Sequence, residues 1–300
     1  MTLDLGDLDQ GPLLLFGGPY SNLAATQAMR REAELLGIPP RRVICNGDIV
    51  AYCAQPAETL EAIRAWGIHL VAGNCEVSLG EGSPDCGCGF EQETTCALLS
   101  EGWYPYASAR VDSGQRDWMK QLPGSIRFRF NGVRFQVVHG APGAINRFVF
   151  PSTPRDEKRA LLDDDTDVVI AGHSGIPFGE KLTDGYWLNT GVIGMPANDG
   201  TPDGWYLLLQ AVDDRVTARW QRLVYDYRGA HRQMLAAGLD NGYARALLSG
   251  LWPSMDILPN TEQGRYGIPL VLDELTISPP GPGDRRRITH PAIRSAEKEC

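Results

Sequence analysis

The sequence contains no apolar stretch near the ~20 residues that a bilayer-spanning helix needs, so the reading excludes a membrane span. It also lacks a basic excess: 28 Lys and Arg stand against 37 Asp and Glu, for a formal net charge of −9. Proteins that hold nucleic acid or anionic lipid rely on clustered cations. The one such run, Arg285-Arg286-Arg287, falls in a tail of Pro, Gly and charge and reads as solvated. Neither nucleic acid nor a membrane is expected as a general partner. The opening MTLDLGDLDQGP is acidic and unlike a signal peptide, and the expected location is cytoplasmic. No internal repeat is visible. Seven cysteines is an odd number, and with no export signal a disulfide framework explains them poorly.

What is present suits a soluble globular protein, 43% hydrophobic and 22% charged over 300 residues, long enough to bury a sizeable core. Pro12 to Phe16 reads as a buried strand ended by Gly17-Gly18-Pro19. Ser21 and Asn22 are N-caps for a helix with Ala25, Met29, Ala33 and Leu36 on one face. Val43-Ile44-Cys45 is a second strand, closed by Asn46-Gly47-Asp48. Pro56 opens a second helix that Gly67 stops, and His69 to Ala72 is a third strand ending in the polar corner Gly73-Asn74-Cys75-Glu76. This alternation predicts a largely parallel sheet.

Residues 80–125 read as irregular, with helical pieces near 92–100 and 114–121. Ile126–Phe130 and Val133–Val138 flank Asn131-Gly132, a type I′ hairpin signal. Further strands are expected at Asp167–Ala171, Tyr186–Asn189, Trp205–Leu209 and Val216–Trp220, and helix over 229–249. Two sheets packed face to face and flanked by helices account for this order. Residues 1–250 are expected as the main domain and 251–300 as an extension without order from about Thr276.

Chemistry collects after the strands. Asp48, Asn74, His139 and His173 each follow a strand and adjoin a glycine, and this mixed oxygen and nitrogen set suits Zn, Fe or Mn. Any one of them alone reads more simply as a capping or core residue; four at corresponding strand ends point to a metal site. Cys45 and Cys96 read as buried small hydrophobes, whereas Cys86-Gly87-Cys88 sits in a Gly-rich loop downstream of Cys75.

The segments Gly18-Pro19-Tyr20, Gly47-Asp48, Gly73-Asn74-Cys75-Glu76, His139-Gly140 and Gly172-His173-Ser174-Gly175 resemble, in order, the motifs of the calcineurin-like metallophosphoesterases. Within that superfamily the likeness is to small bacterial phosphodiesterase and diadenosine-tetraphosphatase-like members, over residues 12–249. The resemblance implies a four-layer α/β/β/α sandwich of two mixed sheets, and a metal-dependent hydrolase of phosphate esters or anhydrides. It makes Asp48, Asn74, His139 and His173 the ligands of one divalent ion per chain. It puts Gly18, Tyr20 and Gly175 where ligands of a second ion stand, so that half-site is degenerate, and Cys75 where a proton-donating His stands. Asp48 and Cys75 are therefore the candidate catalytic residues.

The glycines are expected to leave room in which Cys75, with Cys86 or Cys88, forms a thiolate pocket for a soft metal or a thiol-reactive molecule. The implied partner is a small phosphorylated or thiol-reactive compound, and homo-oligomerisation is left open. The alternative is a non-hydrolytic metal- or thiol-ligand-binding protein, a pseudoenzyme with a cysteine-rich pocket. Disulfide redox chemistry is a third class, but Cys86-Gly87-Cys88 departs from the C-x-x-C spacing it would need.

Overall fold

The run Leu13–Phe16 is apolar on both faces and fully buried, which suits an interior strand, and it becomes one. The protein, a computed structural model, is described over residues 1–88 and 95–280. In chain order the elements begin with β1 (Thr2–Leu8), β2 (Leu13–Phe16), α1 (Leu23–Leu35), β3 (Val43–Cys45), α2 (Pro56–Trp66), β4 (His69–Leu70) and α3 (Asn74–Glu81). They continue with α4 (Thr95–Ser108), α5 (Ser113–Met119), β5 (Ser125–Phe130), β6 (Val133–Val138), α6 (Arg155–Ala160), β7 (Val168–Ala171), β8 (Phe178–Leu182) and β9 (Gly185–Asn189). Last come β10 (Gly204–Val212), β11 (Arg215–Leu223), α7 (Tyr227–Ala236), α8 (Gly242–Ser249), α9 (Asn260–Gln263) and β12 (Leu275–Ile277).

These strands form two six-stranded mixed sheets. The first has the order β12-β11-β10-β2-β3-β4, with β2, β3 and β4 parallel; the second is β1-β5-β6-β7-β9-β8, with β6, β7 and β9 parallel. Leu13, Leu15 and Ile44 from one sheet meet Ile126, Phe135, Val137 and Ile170 from the other in a shared core. A second core lies between the first sheet and α1, α2, α7 and α8, and a third, smaller one covers the far face of the second sheet. The architecture is the expected four-layer sandwich. No helix among the described residues is long and apolar enough to cross a membrane.

Local signals act as their chemistry dictates. Asn22 accepts the Ala25 N–H to cap α1, Pro56 and Gly67 bound α2, and Asn131 and Gly132 both have positive φ (49° and 80°) in the β5–β6 turn. Other parts differ from the reading. Residues 2–8 form an edge strand parallel to β5, because pairing there needs only backbone and tolerates the exposed acidic face. The single helix expected over 229–249 is two, separated at Gly238, which has φ 77°. Within the C-terminal extension, β12 pairs with β11 and buries Ile277 completely. The side chain of Cys96, Arg285–Arg287 and Cys300 lie outside the described residues.

Candidate metal centre

The polar corner after β4 is the start of a helix. Glu76, at the third position of α3, accepts the Gly73 N–H at 2.9 Å, while Asp48 Oδ1 accepts the Cys75 N–H at 3.2 Å. Gly73 is required by this contact: a Cβ there would lie 2.2 Å from Asp48 Oδ1. The same Glu76 carboxylate also accepts the backbone N–H groups of Asp48 (2.7 Å), Ile49 (2.8 Å) and Val50 (3.3 Å). The segment after β3 is thereby tied to α3 through the backbone of Asp48 itself.

Asp48 follows β3 and Asn74 follows β4 in the first sheet; His139 follows β6 and His173 follows β7 in the second. The structure brings all four together at the carboxyl ends of the strands, where α/β proteins keep their sites. Asp48, His139 and His173 can each offer a ligand atom within 4.8 Å of the others, and all three are buried. Asp48 and His173 have φ of 55° and 58°, a left-handed conformation that costs a non-glycine residue about 1–3 kcal/mol and recurs at functional sites.

Proton placement decides what this cluster can hold. His139 Nδ1 lies 2.8 Å from the Asn46 carbonyl, so it carries the proton and leaves Nε2 with a lone pair. Around that Nε2 stand Asn74 Oδ1 at 3.0 Å, His173 Nδ1 at 3.1 Å and Asp48 Oδ2 at 3.3 Å. The Asn74 amide is oriented by its Nδ2, which donates to the Cys86 carbonyl at 2.8 Å. Nitrogen and oxygen atoms from four side chains thus face one another at one point. His139 makes a supporting carbonyl hydrogen bond through its second nitrogen, and His173 Nε2 is buried without a partner. The residues present fit a divalent ion.

Burial would lower the pKa of His139, but Asp48 beside it raises it overall. Burial and the neighbouring His139 push His173 down to about 3. Burial would raise Asp48, yet the two histidines and the Cys75 N–H hold it below the usual carboxylate range. Glu76 is pushed up to about 7 by burial and by Asp48.

The degenerate half-site departs from expectation. A Cβ at Gly18 would stand 2.6 Å from the Tyr20 ring and from Val192, and one at Gly175 would meet the Trp252 indole at 3.1 Å. The room expected for sulfur ligands is filled by aromatic rings. Cys75, Cys86 and Cys88 do gather, around Asn74: its Nδ2 lies 3.2 Å from Cys88 Sγ and 3.5 Å from Cys75 Sγ. All three thiols are buried. Burial raises the pKa of Cys75 and Cys88, and a hydrogen bond with Cys88, with burial, raises that of Cys86. None is poised as a thiolate. Cys88 lines the cleft beside Asp48 and His173, whereas Cys75 does not, so the thiol expected to face a leaving group is packed behind Asn74.

The reading missed Tyr52, Phe148, Tyr243 and Trp252, which form the cleft with Tyr20. Their spacing carries no motif, and Tyr243 and Trp252 lie far along the chain from the ligands.

The model of the calcineurin-like phosphoesterase superfamily domain matches residues 22–214. An uncharacterized protein of Methanocaldococcus jannaschii is 26% identical over 249 residues, spanning 77% of this chain and 95% of that one. The fold is shared with a metallophosphoesterase from Sphaerobacter thermophilus (TM-score 0.63, 21% identity, 81% of this chain and 100% of that one). It is also shared with a hypothetical protein from Pyrococcus horikoshii OT3 (TM-score 0.67, 15% identity, 80% and 98%).

Proposed function

Because the chain belongs to the calcineurin-like phosphoesterase superfamily, we propose that it is a metal-dependent phosphoesterase. It would hold one Zn, Fe or Mn ion on Asp48, Asn74, His139 and His173. The observation that carries this reading is the convergence of Asn74 Oδ1, His173 Nδ1 and Asp48 Oδ2 on His139 Nε2, at 3.0, 3.1 and 3.3 Å. A divalent ion there would act as a Lewis acid on a phosphoryl oxygen and make bound water more acidic.

The chain's own residues prepare the site. The Asn46 carbonyl fixes the tautomer of His139, the Cys86 carbonyl orients Asn74, and Glu76 holds the Asp48 backbone. Cys75, expected at the proton-donor position, is buried and does not line the cleft. Turnover is therefore expected to be slow and to favour esters whose leaving group needs no proton. The test is hydrolysis of bis(p-nitrophenyl) phosphate by protein loaded in turn with Mn, Fe and Zn, with elemental analysis of the same samples. One ion per chain with hydrolysis that His173→Ala abolishes supports the reading.

A second reading, a non-hydrolytic binder, is favoured by the aromatic filling at Gly18 and Gly175. It predicts bound metal without hydrolysis of any phosphate ester.

A further inference from the structure

Trp252 sits over Gly175, and it is held there. Its indole N–H donates to the Pro196 carbonyl at 2.7 Å, and its backbone N–H donates to Asn198 Oδ1 at 2.8 Å. A side chain at residue 175 and the indole would compete for one space, since a Cβ would come within 3.1 Å of the ring. The Tyr20 ring closes on Gly18 and packs edge-on against Tyr52 (4.7 Å between centroids), which stacks on Tyr243 at 4.2 Å. The degenerate half-site has become an aromatic wall.

That wall borders a cleft whose floor carries Asp48 and His173. Its lining is largely apolar and, among the described residues, includes no Lys or Arg, while the floor holds one carboxylate and a second, Glu76, lies just behind it. A polyphosphate chain needs cations or N–H groups along its length, and among the described residues no Lys or Arg side chain lines this space. Tyr243 and Trp252 also fall outside residues 22–214, the part that matches the superfamily domain. They belong to α8 and the extension that follows it, so the C-terminal segment closes a wall that Tyr20 and Tyr52 begin.

Resting on the proposed phosphoesterase reading, we infer that the cleft is a subsite for an uncharged, apolar ester group of the substrate, bounded by Tyr20, Tyr52, Tyr243 and Trp252. The substrate class is then an organic phosphate ester carrying such a group, and phosphoanhydrides such as pyrophosphate are excluded. Four aromatic rings in the lining favour a flat group, which gains aromatic contact in addition to burial. Trp252 is a specificity-determining residue in this arrangement.

The test is calorimetric binding to the full-length, metal-loaded chain of phenylphosphonate, methylphosphonate and pyrophosphate. p-Nitrophenol binding to metal-free Asp48→Asn protein is measured alongside. Phenylphosphonate should bind about tenfold or more tightly than methylphosphonate, from the apolar area it buries, and pyrophosphate should bind no better than methylphosphonate. Trp252→Ala should reduce the phenyl preference to about threefold or less with metal content unchanged, and Trp252→Leu, which keeps apolar bulk, should recover part of it. Equal binding of the two phosphonates, tighter binding of pyrophosphate, or a phenyl preference untouched by both Trp252 variants overturns the subsite. p-Nitrophenol that binds Asp48→Asn protein, in a chain that hydrolyses no ester, would sink the hydrolase reading and leave the subsite standing. Hydrolysis without aryl preference would do the reverse.

Discussion

The Glu76 carboxylate accepts the backbone N–H of Asp48 at 2.7 Å. That single contact joins a helix start to the residue with the strongest claim to hold a metal ion. Four backbone donors, from residues 48, 49, 50 and 73, share the two Glu76 oxygens. Glu76→Gln replaces one acceptor oxygen with an N–H₂ group that would face backbone N–H groups. It should destabilise the protein by about 1–3 kcal/mol, the cost of buried unsatisfied donors, and weaken metal binding although Glu76 is not a ligand. Thermal unfolding with and without added metal checks both effects; parent-like metal affinity in a destabilised variant would make the role of Glu76 purely structural.

Metal should stabilise the folded chain. At a hundredfold excess over the dissociation constant, linkage gives about 2.7 kcal/mol, read as a higher melting temperature that chelation reverses. His139→Ala and His173→Ala should lose this response. A melting temperature indifferent to Mn, Fe and Zn in the parent would count against the site.

Acid should act on the metal-free protein through the two histidines in opposite senses. His173 is held down at about 3 against an ordinary 6.5, by burial and by His139. Between these values the unfolded chain binds a proton that the folded chain refuses, so stability falls as the pH drops below 6.5, by up to about 1.4 kcal/mol per unit. His139 is raised, with the Asp48 charge outweighing burial, and its stabilisation is complete below 6.5 and lost as the pH rises through its folded value. His173→Asn should flatten the acid limb; urea midpoints across pH 4 to 6.5 would give the same slope for both proteins if the histidine is not responsible.

Cys75→Ala should keep parent-like metal content and turnover, because the thiol is buried outside the cleft. In the folded protein all three thiols near Asn74 should react slowly with thiol reagents and become reactive on unfolding. A Cys75→Ala variant that binds metal but loses all turnover would return the thiol to the chemistry.

Ending the chain after Glu274 should cost more stability than ending it after Pro280. The shorter form loses β12, whose Ile277 is fully buried and pairs with Val216 of β11. Chemical denaturation of the two truncations tests the difference.

The sandwich and the ligand cluster were legible because their signals are local. Short apolar runs end in Gly-Asp, Gly-Asn or His-Gly, and each donor lies within a few residues of the strand that positions it. Helix α3 was not legible: Gly80 and a string of small or polar residues weaken its helical pattern, and its start depends on Glu76 and the distant Asp48. The aromatic wall was hidden for the same reason. Nothing near Gly175 signals that Trp252, 77 positions later, fills the space above it. The likeness of Gly18 and Gly175 to deleted ligands suggested a void, and only packing across the fold reveals the occupants.

Asp48 and Asn74 hang from one sheet, His139 and His173 from the other, and the layer between the sheets is packed with Leu13, Leu15, Ile44, Val137 and Ile170. An ion bound by all four would act as a rivet through two plates. Its affinity would register small slips of one sheet against the other, because ligand distances tolerate only a few tenths of an ångström. Ile44→Val or Val137→Ala, deep in the seam and outside the cleft, would then loosen the rivet before it unfolded the plates.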